Sequence, residues 1–273
     1  MDIIKAILLG VIEGVTEWLP ISSTGHLIIA EEFIKLSVSA SFMEMFRVVI
    51  QFGAILAVIV LYWKKLFPFS FRKKPFVRRE TLSLWGRILA ACLPAAVIGL
   101  LFDDAIDALF YNYQTVALTL ILYGVLFIVI EARNRNRVPA VNDPGHITYK
   151  NALLIGVFQL LALIPGTSRS GATIIGAILL GTSREAAAEF SFFLAVPVMI
   201  GASLLKLVKF GFAFTSAELA VLLAGVVTAF VVSLFAIRFL VGFIRKHSYT
   251  AFGWYRIALG VIVAAYFLTR AAA

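Results

Sequence analysis

Residues 9–29 read LGVIEGVTEWLPISSTGHLII, an apolar stretch that is broken by Pro20 and by the polar cluster that follows it. Proline removes a backbone hydrogen-bond donor and disrupts a helix. Backbone that is not helical is tolerated at membrane depth only inside protein or beside a wet cavity. The stretch therefore predicts two half-helices joined by a polar tip, which together form a re-entrant hairpin over about residues 3–36.

A second stretch of the same kind occupies residues 155–175 and reads IGVFQLLALIPGTSRSGATII. When the two stretches are aligned at one constant offset, Gly10 aligns with Gly156, and SSTG at 22–25 aligns with SRSG at 168–171. Each hairpin is followed by three apolar spans, and an odd number of spans inverts the second unit relative to the first. Inverted repeats with broken helices place their sites near the middle of the bilayer. The alternative is chance similarity between segments rich in Gly, Ile and Val.

The composition indicates a membrane protein. Of the 273 residues, 62% are hydrophobic and 14% are charged, and the mean hydropathy is +0.99. A soluble domain is roughly 45–50% apolar and about 25% charged, so a soluble fold and disorder are both excluded. The predicted fold is an all-α polytopic membrane protein built as an inverted repeat, with a re-entrant hairpin and three transmembrane helices in each half. The predicted first repeat is 1–132 (hairpin 3–36, spans 46–63, 84–102 and 115–131), the loop is 133–150, and the second repeat is 151–273 (hairpin 151–182, spans 189–209, 217–244 and 250–269).

The formal net charge of +9 comes from lysines and arginines that gather between the spans. The positive-inside rule places such segments at the cytoplasmic face, which puts both termini outside. We interpret the charge as contact with anionic lipid rather than with nucleic acid. The single cysteine excludes an intrachain disulfide framework and a multi-cysteine metal site. The predicted cytoplasmic basic segments and residues are 64–87 (with Arg72, Lys73 and Lys74), 133–150, Arg184, Arg245, Lys246 and Arg256. The predicted outer face carries Asp103, Asp104 and Asp107.

The first polar cluster contains acids, hydroxyls and a histidine. Glu13 and Glu17 share one face of a helix, and charged groups inside a membrane segment are costly unless they are paired, hydrated or bound to metal. The pair suits a divalent cation or general acid–base work, and the alternative is a solvated pair at the membrane surface. Ser23 becomes a nucleophile when a base takes its proton, and His26 or one of the glutamates is the candidate base.

The hydroxyls of Ser22, Ser23 and Thr24 lie at the predicted tip, and Gly25 lets backbone approach a ligand closely. These hydroxyls also suit capping of the second half-helix. Capping and ligand binding are compatible, because the amide groups at a helix start bind anions.

The second polar cluster places an arginine among hydroxyls and glycines. The guanidinium of Arg169 presents a planar fork of donors that fits phosphate, and the following half-helix adds its positive end. This predicts a cradle for phosphate or diphosphate. The alternative is that Arg169 neutralises Glu13 or Glu17 as a structural pair. The predicted cradle residues are Gly166, Ser168, Arg169, Ser170 and Thr173.

The two clusters resemble the signatures of the bacterial undecaprenyl-diphosphate phosphatase family, also called the bacitracin-resistance protein family. The residues that carry the resemblance are Glu13, Glu17, the stretch 19–26 (LPISSTGH), the stretch 165–173 (PGTSRSGAT) and the stretch 189–197 (EFSFFLAVP). The resemblance implies an enzyme of the inner membrane that hydrolyses undecaprenyl diphosphate to the monophosphate and recycles the lipid carrier of cell-wall precursors. It also implies a divalent cation, Mg²⁺ or Ca²⁺, and an active site that opens to the outer face.

Carried over by position, Glu13 and Glu17 match the acid and metal positions of this family. Ser23 and His26 match the proposed nucleophile and its partner, and Arg169 matches the phosphate-binding arginine. The sequence leaves attack by Ser23, by His26 or by activated water open, and it leaves a homodimer open. The predicted link to bacitracin is only indirect, through the lipid substrate that bacitracin and the protein share. A rival hypothesis is a secondary transporter or flippase for an anion or a lipid phosphate, because an inverted repeat with broken helices is also a transporter plan.

Overall fold

A computed structural model describes residues 1–70, 76–110, 112–211 and 213–271, without the side chains of residues 103, 104, 107 and 271. Arg72, Lys73 and Lys74 lie outside the described residues. The side chains of Asp103, Asp104 and Asp107 also lie outside the description. Their places in the charge pattern therefore stay predictions.

Within these ranges the chain is helical and contains no β-strand, which confirms the predicted all-α class. Two short 3-10 turns lie at 144–146 and 160–163. The helices are α1 (Asp2–Thr16), α2 (Ser23–Phe33), α3 (Ala40–Leu61), α4 (Trp63–Leu66), α5 (Arg79–Phe110), α6 (Tyr113–Asn134), α7 (Tyr149–Gln159), α8 (Arg169–Leu179), α9 (Arg184–Phe210), α10 (Ser216–Ile244) and α11 (Thr250–Ala271).

Six of these helices are long and apolar enough to cross a membrane. They are α3, the first part of α5, α6, α9, α10 and α11. The shortest of the six apolar segments has 21 residues, and a span needs about 20. Six spans is the number that the sequence predicts, and the chain is an integral membrane protein.

Two breaks interrupt the chain at the predicted positions, between α1 and α2 and between α7 and α8. We call residues 17–22 the first break loop and residues 164–168 the second. The described residues contain two non-glycine residues with positive φ, Ser22 at 73° and Ser168 at 74°. Each of these serines caps the helix that follows, because its hydroxyl accepts the amide N–H three residues on, from Gly25 and Gly171, at 3.2 Å in both cases. Capping by Ser22 is thus confirmed.

The half-helices that precede the breaks pack closely on long helices. Helix α1 packs on α10, and α7 packs on α5. A Cβ added at Gly10 would lie 2.6 Å from the carbonyl oxygen of Gly225, and one at Gly156 would lie 2.3 Å from that of Ala91. Small residues let membrane helices approach to backbone contact, so both glycines are required by packing.

We expect Gly156→Ala to destabilise the protein. The added methyl group clashes with a backbone oxygen, which cannot rotate away as a side chain can, so α5 and α7 must separate. Overpacking of this kind lowers the free energy of unfolding by about 1–3 kcal/mol. The melting temperature of the detergent-solubilised protein should fall by about 3–10 °C. Gly242→Ala is the control, because nothing lies within 4 Å of its added Cβ and alanine favours a helix. Equal melting temperatures for Gly156→Ala and the unmodified protein would contradict the close contact.

Candidate active site

The two break loops meet although they lie far apart in the sequence. Ser170, at the start of α8, donates its hydroxyl proton to the backbone oxygen of Glu17 at 3.2 Å. Arg169 donates from Nη2 to Oε1 of Glu17 at 3.1 Å. The polar clusters that the sequence singles out therefore line one site between the two breaks.

Glu17 is the centre of this site. Its carboxylate accepts a hydrogen bond from the hydroxyl of Ser23 at Oε2, over 2.6 Å, and from Arg169 at Oε1. Glu17 is 5% exposed and Ser23 is 8% exposed. Short hydrogen bonds from a hydroxyl to a carboxylate are strong, and this one places a proton acceptor directly on a candidate nucleophile.

The guanidinium of Arg169 is held from several directions. Nη1 donates to the backbone oxygen of Ser191 at 2.7 Å, and the guanidinium carbon lies 5.9 Å from the ring centre of Trp18. Its buried Nε has no hydrogen-bond partner in the part of the chain that the structure describes. A buried donor without a partner is unfavourable, so an oxyanion ligand would satisfy Nε without displacing an existing bond.

The other predicted cradle residues mostly contact one another or backbone. The hydroxyls of Ser168 and Ser170 lie 3.1 Å apart, and the hydroxyl of Thr173 lies 2.7 Å from that of Ser191. Gly166 has a φ of +84°, and a Cβ there would lie 2.2 Å from the hydroxyl oxygen of Thr119. In the first cluster, Thr24 is half-buried. Ser191 is a contact of the site that the sequence reasoning did not assign.

Glu13 has a different environment from Glu17. It is fully buried, and within the described residues neither carboxylate oxygen has a hydrogen-bond partner. The side-chain nitrogen and oxygen of Gln159, its counterpart in the second cluster, are equally unpartnered in the described structure. A buried carboxylate without a partner is costly, so Glu13 calls for a cation or a proton.

A hard divalent cation fits these acids. Mg²⁺ and Ca²⁺ take oxygen ligands, and Mg²⁺ is usually bound by one or two carboxylates together with water and substrate phosphates. Glu13 and Glu17 lie one helical turn apart, since the N–H of Glu17 donates to the backbone oxygen of Glu13 at 3.0 Å. The described residues contain no group of three or more His, Cys, Asp or Glu side chains that could hold a metal ion. Glu13 and Glu17 are the residues at this site that could hold such an ion.

His26 makes contacts that the sequence did not anticipate. Its Nδ1 lies 2.7 Å from the backbone oxygen of Ser22, and its Nε2 lies 2.7 Å from the hydroxyl of Tyr255. A carbonyl oxygen only accepts, so Nδ1 carries the proton and Nε2 of the neutral ring accepts from the tyrosine. Both ring nitrogens of His26 are thus occupied, and the hydroxyl of Ser23 is hydrogen-bonded to Glu17 instead.

The placement of Arg256 at a cytoplasmic end is wrong. The residue is fully buried, and its guanidinium donates to backbone oxygens of both break loops, at Pro20 over 3.1 Å and at Gly166 over 2.8 Å. The sequence does contain a signal for this burial: Arg256 lies within the predicted span 250–269, whereas an arginine of a loop lies outside the spans.

Six membrane-spanning helices together with a buried polar cluster between two helix breaks define an integral membrane protein with a candidate active site. The sequence matches the family described as Bacitracin resistance protein BacA over residues 6–262. The chain belongs to this family, which confirms the resemblance drawn from the motifs.

Similar proteins carry one name. A protein of Acetivibrio thermocellus named Undecaprenyl-diphosphatase is 65% identical over 268 residues, which cover 98% of each chain. One of Desulfitobacterium hafniense with the same name is 63% identical over 271 residues, 99% of this chain and 98% of the relative. A third, of Enterococcus faecalis, is 58% identical over 265 residues, 96% of each chain.

Proposed function

We propose that this membrane protein hydrolyses undecaprenyl diphosphate to undecaprenyl phosphate and orthophosphate, and so recycles the lipid carrier of cell-wall precursors. The names of the relatives support the substrate. The observation that carries the chemistry is the hydrogen-bonded chain of Ser23, Glu17 and Arg169 across the two breaks. It combines a hydroxyl, a candidate base and a cation that suits an anion within one buried cluster.

In the first step Ser23 acts as the nucleophile. Its Oγ gives a proton to Oε2 of Glu17 and bonds to the terminal phosphorus, while the bond from that phosphorus to the bridging oxygen breaks. Undecaprenyl phosphate leaves with the electron pair of that bond and takes up the proton from Glu17. Phosphoryl transfer needs mostly positioning and charge stabilisation, which a fixed base and a fixed cation supply.

The second step restores the enzyme. A water oxygen bonds to phosphorus, the bond from phosphorus to Oγ of Ser23 breaks, and Oγ regains a proton from that water. Orthophosphate leaves. Attack by His26 or directly by water would give the same products, and the variants considered in the Discussion separate these routes from attack by Ser23.

Arg169 holds the phosphate oxygens in this proposal. Its unpartnered Nε offers a donor to an incoming oxyanion. The amide groups at the start of α8 add a positive end, with the hydroxyls of Ser168, Ser170 and Thr173 beside them. On the other side of the site, Ser22, Thr24 and Gly25 at the start of α2 complete the proposed substrate contacts.

We propose that Glu13 and Glu17 hold a divalent cation, Mg²⁺ or Ca²⁺, which neutralises charge on the diphosphate when it is bound. The protein side chains carry out the other steps: Glu17 accepts the proton of Ser23, and Arg169 binds the phosphate. Glu13 keeps its carboxylate beside the site, and its two unpartnered oxygens support this role.

We expect Glu13→Gln to raise the Mg²⁺ concentration needed for half-maximal activity about tenfold or more, because the amide keeps the shape and loses the charge. Titration of MgCl₂ after chelator treatment measures the shift, and stabilisation of the protein by Mg²⁺ in thermal melts is a second readout. Glu44→Gln is the control, since Glu44 is paired with Lys206 on the surface. An unchanged Mg²⁺ requirement in Glu13→Gln would refute the metal assignment.

We further propose that the fold is an inverted repeat of residues 1–132 and 151–273, with re-entrant hairpins at the breaks. The matching caps of Ser22 and Ser168 support it, as do the matching packing sites of Gly10 and Gly156. The charge pattern supports cytoplasmic basic loops. We also propose that the protein lies in the inner membrane with its site open to the outer face, as the family resemblance implies.

The test of function is a time course of orthophosphate release from undecaprenyl diphosphate by the purified protein in detergent, with and without chelator. Detergent removes any gradient, so a pure transporter releases no phosphate under these conditions. Release that stops with chelator and resumes with Mg²⁺ is the expected result. No release from a folded, metal-supplied protein would overturn the proposed function.

A further inference from the structure

We propose that α11 is part of the catalytic framework: Arg256 fixes the two break loops relative to each other, and Tyr255 fixes His26. Both are positioning residues, and the inference rests on the proposed function. The two adjacent residues face the same polar site, although α11 otherwise has the composition of an ordinary membrane span.

The contacts of Arg256 join the two halves of the site. Nη1 donates to the backbone oxygen of Pro20 in the first break loop at 3.1 Å. Nη2 donates to the backbone oxygens of Gly166 at 2.8 Å and Thr167 at 3.0 Å in the second break loop. The planar fork of arginine thus sends one terminal nitrogen to each loop, a geometry that a lysine ammonium does not reproduce.

The charge of Arg256 has no acidic partner among the described residues. Its guanidinium carbon lies 5.5 Å from the ring centre of Tyr123. Backbone carbonyls accept the hydrogen bonds of its two terminal nitrogens, and its Nε has no partner among the described residues. A buried cation without an acid is expensive in a membrane. We infer that the buried charge of Arg256 serves to fix the distance between the loop that leads to Ser23 and the loop that leads to Arg169.

Helix α6, which packs against α11, supports the same loop. The hydroxyl of Thr119 lies 2.8 Å from the backbone oxygen of Pro165. The backbone oxygen of Thr119 accepts from Nη2 of Arg256 at 3.4 Å. The second break loop is therefore held from both members of the helix pair.

Tyr255 acts on the other side of the site. Its hydroxyl donates to Nε2 of His26 at 2.7 Å, and the two rings are parallel, with centres 5.6 Å apart. Together with the bond from Nδ1 to Ser22, this contact fixes both the tautomer and the orientation of the imidazole. His26 is not the base in the proposed mechanism. It acts through its bond to the backbone oxygen of Ser22, the residue that precedes Ser23, so the contact with Tyr255 positions the nucleophile through that backbone.

Misplacement of reacting groups by about 1 Å can lower a rate about a hundredfold. Substrate affinity should depend less on the register of the two loops, because Arg169 keeps its own hydrogen bonds to Ser191 and Glu17. A positioning role therefore predicts a loss in kcat with little change in KM, whereas general destabilisation lowers the amount of folded protein.

The experiment compares orthophosphate release by Arg256→Lys and Tyr255→Phe in the full-length protein with undecaprenyl diphosphate and Mg²⁺. Two controls lie further along the same helix: Arg270→Lys, whose ion pair with Glu32 is exposed, and Tyr266→Phe. Gel filtration and thermal melts in detergent report the folded fraction. We expect kcat to fall about a hundredfold in Arg256→Lys and about tenfold in Tyr255→Phe, with KM within about threefold and both controls unaffected.

The outcomes separate this inference from the proposed function. An inactive wild-type protein would refute the proposed function, and an active one leaves the variants to decide the inference. Wild-type kcat in folded Arg256→Lys would overturn the role of Arg256, and wild-type kcat in Tyr255→Phe would overturn that of Tyr255. If Arg256→Lys does not fold, Thr119→Val decides instead, because it loosens the same loop and keeps Arg256. A fall in its kcat at constant KM supports the framework, and an unchanged kcat contradicts it.

Discussion

Ser23→Ala is expected to reduce kcat for orthophosphate release at least about a hundredfold, the usual scale for loss of one group that acts in the transition state. The hydroxyl of Ser23 is already hydrogen-bonded to Glu17 at 2.6 Å, so its proton has an acceptor before substrate arrives. Alanine removes both the nucleophile and the proton and leaves Glu17 bound only by Arg169. KM should change little, because Arg169 and the other proposed phosphate-binding groups are left in place.

A second buried serine provides the matched control for this variant. Ser203 in α9 donates its hydroxyl to the backbone oxygen of Val48 at 3.3 Å and lies in a helix interface rather than at the breaks. Ser203→Ala should retain wild-type kcat. If Ser23→Ala and Ser203→Ala release phosphate equally fast, attack by Ser23 is excluded, and His26→Ala then distinguishes attack by His26 from attack by water.

Arg169→Ala should reduce kcat/KM at least about a hundredfold. The guanidinium is the charged donor of the proposed cradle, and it also orients Glu17 through Oε1 at 3.1 Å. Loss of both roles should raise KM as well as lower kcat, in contrast to Ser23→Ala. Arg169→Lys should restore little activity, because a lysine ammonium does not bind the Ser191 carbonyl, Glu17 and a phosphate oxygen with one planar fork.

The control for Arg169 is Arg245→Lys, at a surface ion pair with Glu185. Surface pairs contribute little to stability, so this variant should have normal kinetics. Substrate hydrolysis by Arg169→Ala at the wild-type kcat/KM would show that the arginine is only the structural partner of Glu17, the alternative that the sequence leaves open.

The sequence predicts the helix breaks because several signals coincide at each of them. Pro94 lies inside α5 and Pro197 lies inside α9 without ending either helix. At Pro20 and Pro165 the proline is followed by a serine that caps the next helix and by a glycine three residues after that serine. Proline alone is thus a weak signal, and proline with a cap signal is a strong one.

The contacts from α11 are beyond sequence reasoning of this kind. The position of Arg256 inside an apolar span is a signal that the residue is not in a loop, but apolar periodicity gives no information about which carbonyl groups on other segments it contacts. Tyr255 is one of 8 tyrosines in the chain, and nothing local distinguishes it. Only the packing of α11 against α6 brings both residues to the breaks. Motif residues are therefore predictable from the sequence, whereas the residues that position them are not.

The central claim is that the two break loops form one site in which Ser23 faces a phosphate held by Arg169. A structure of the protein with a non-hydrolysable methylene-diphosphonate analogue of undecaprenyl diphosphate and Mg²⁺ tests it most directly. We expect the terminal phosphorus about 3–3.5 Å from Oγ of Ser23, with its oxygens bound by the guanidinium of Arg169. A diphosphonate bound away from both side chains, or bound by Arg169 with Ser23 out of contact, would contradict it.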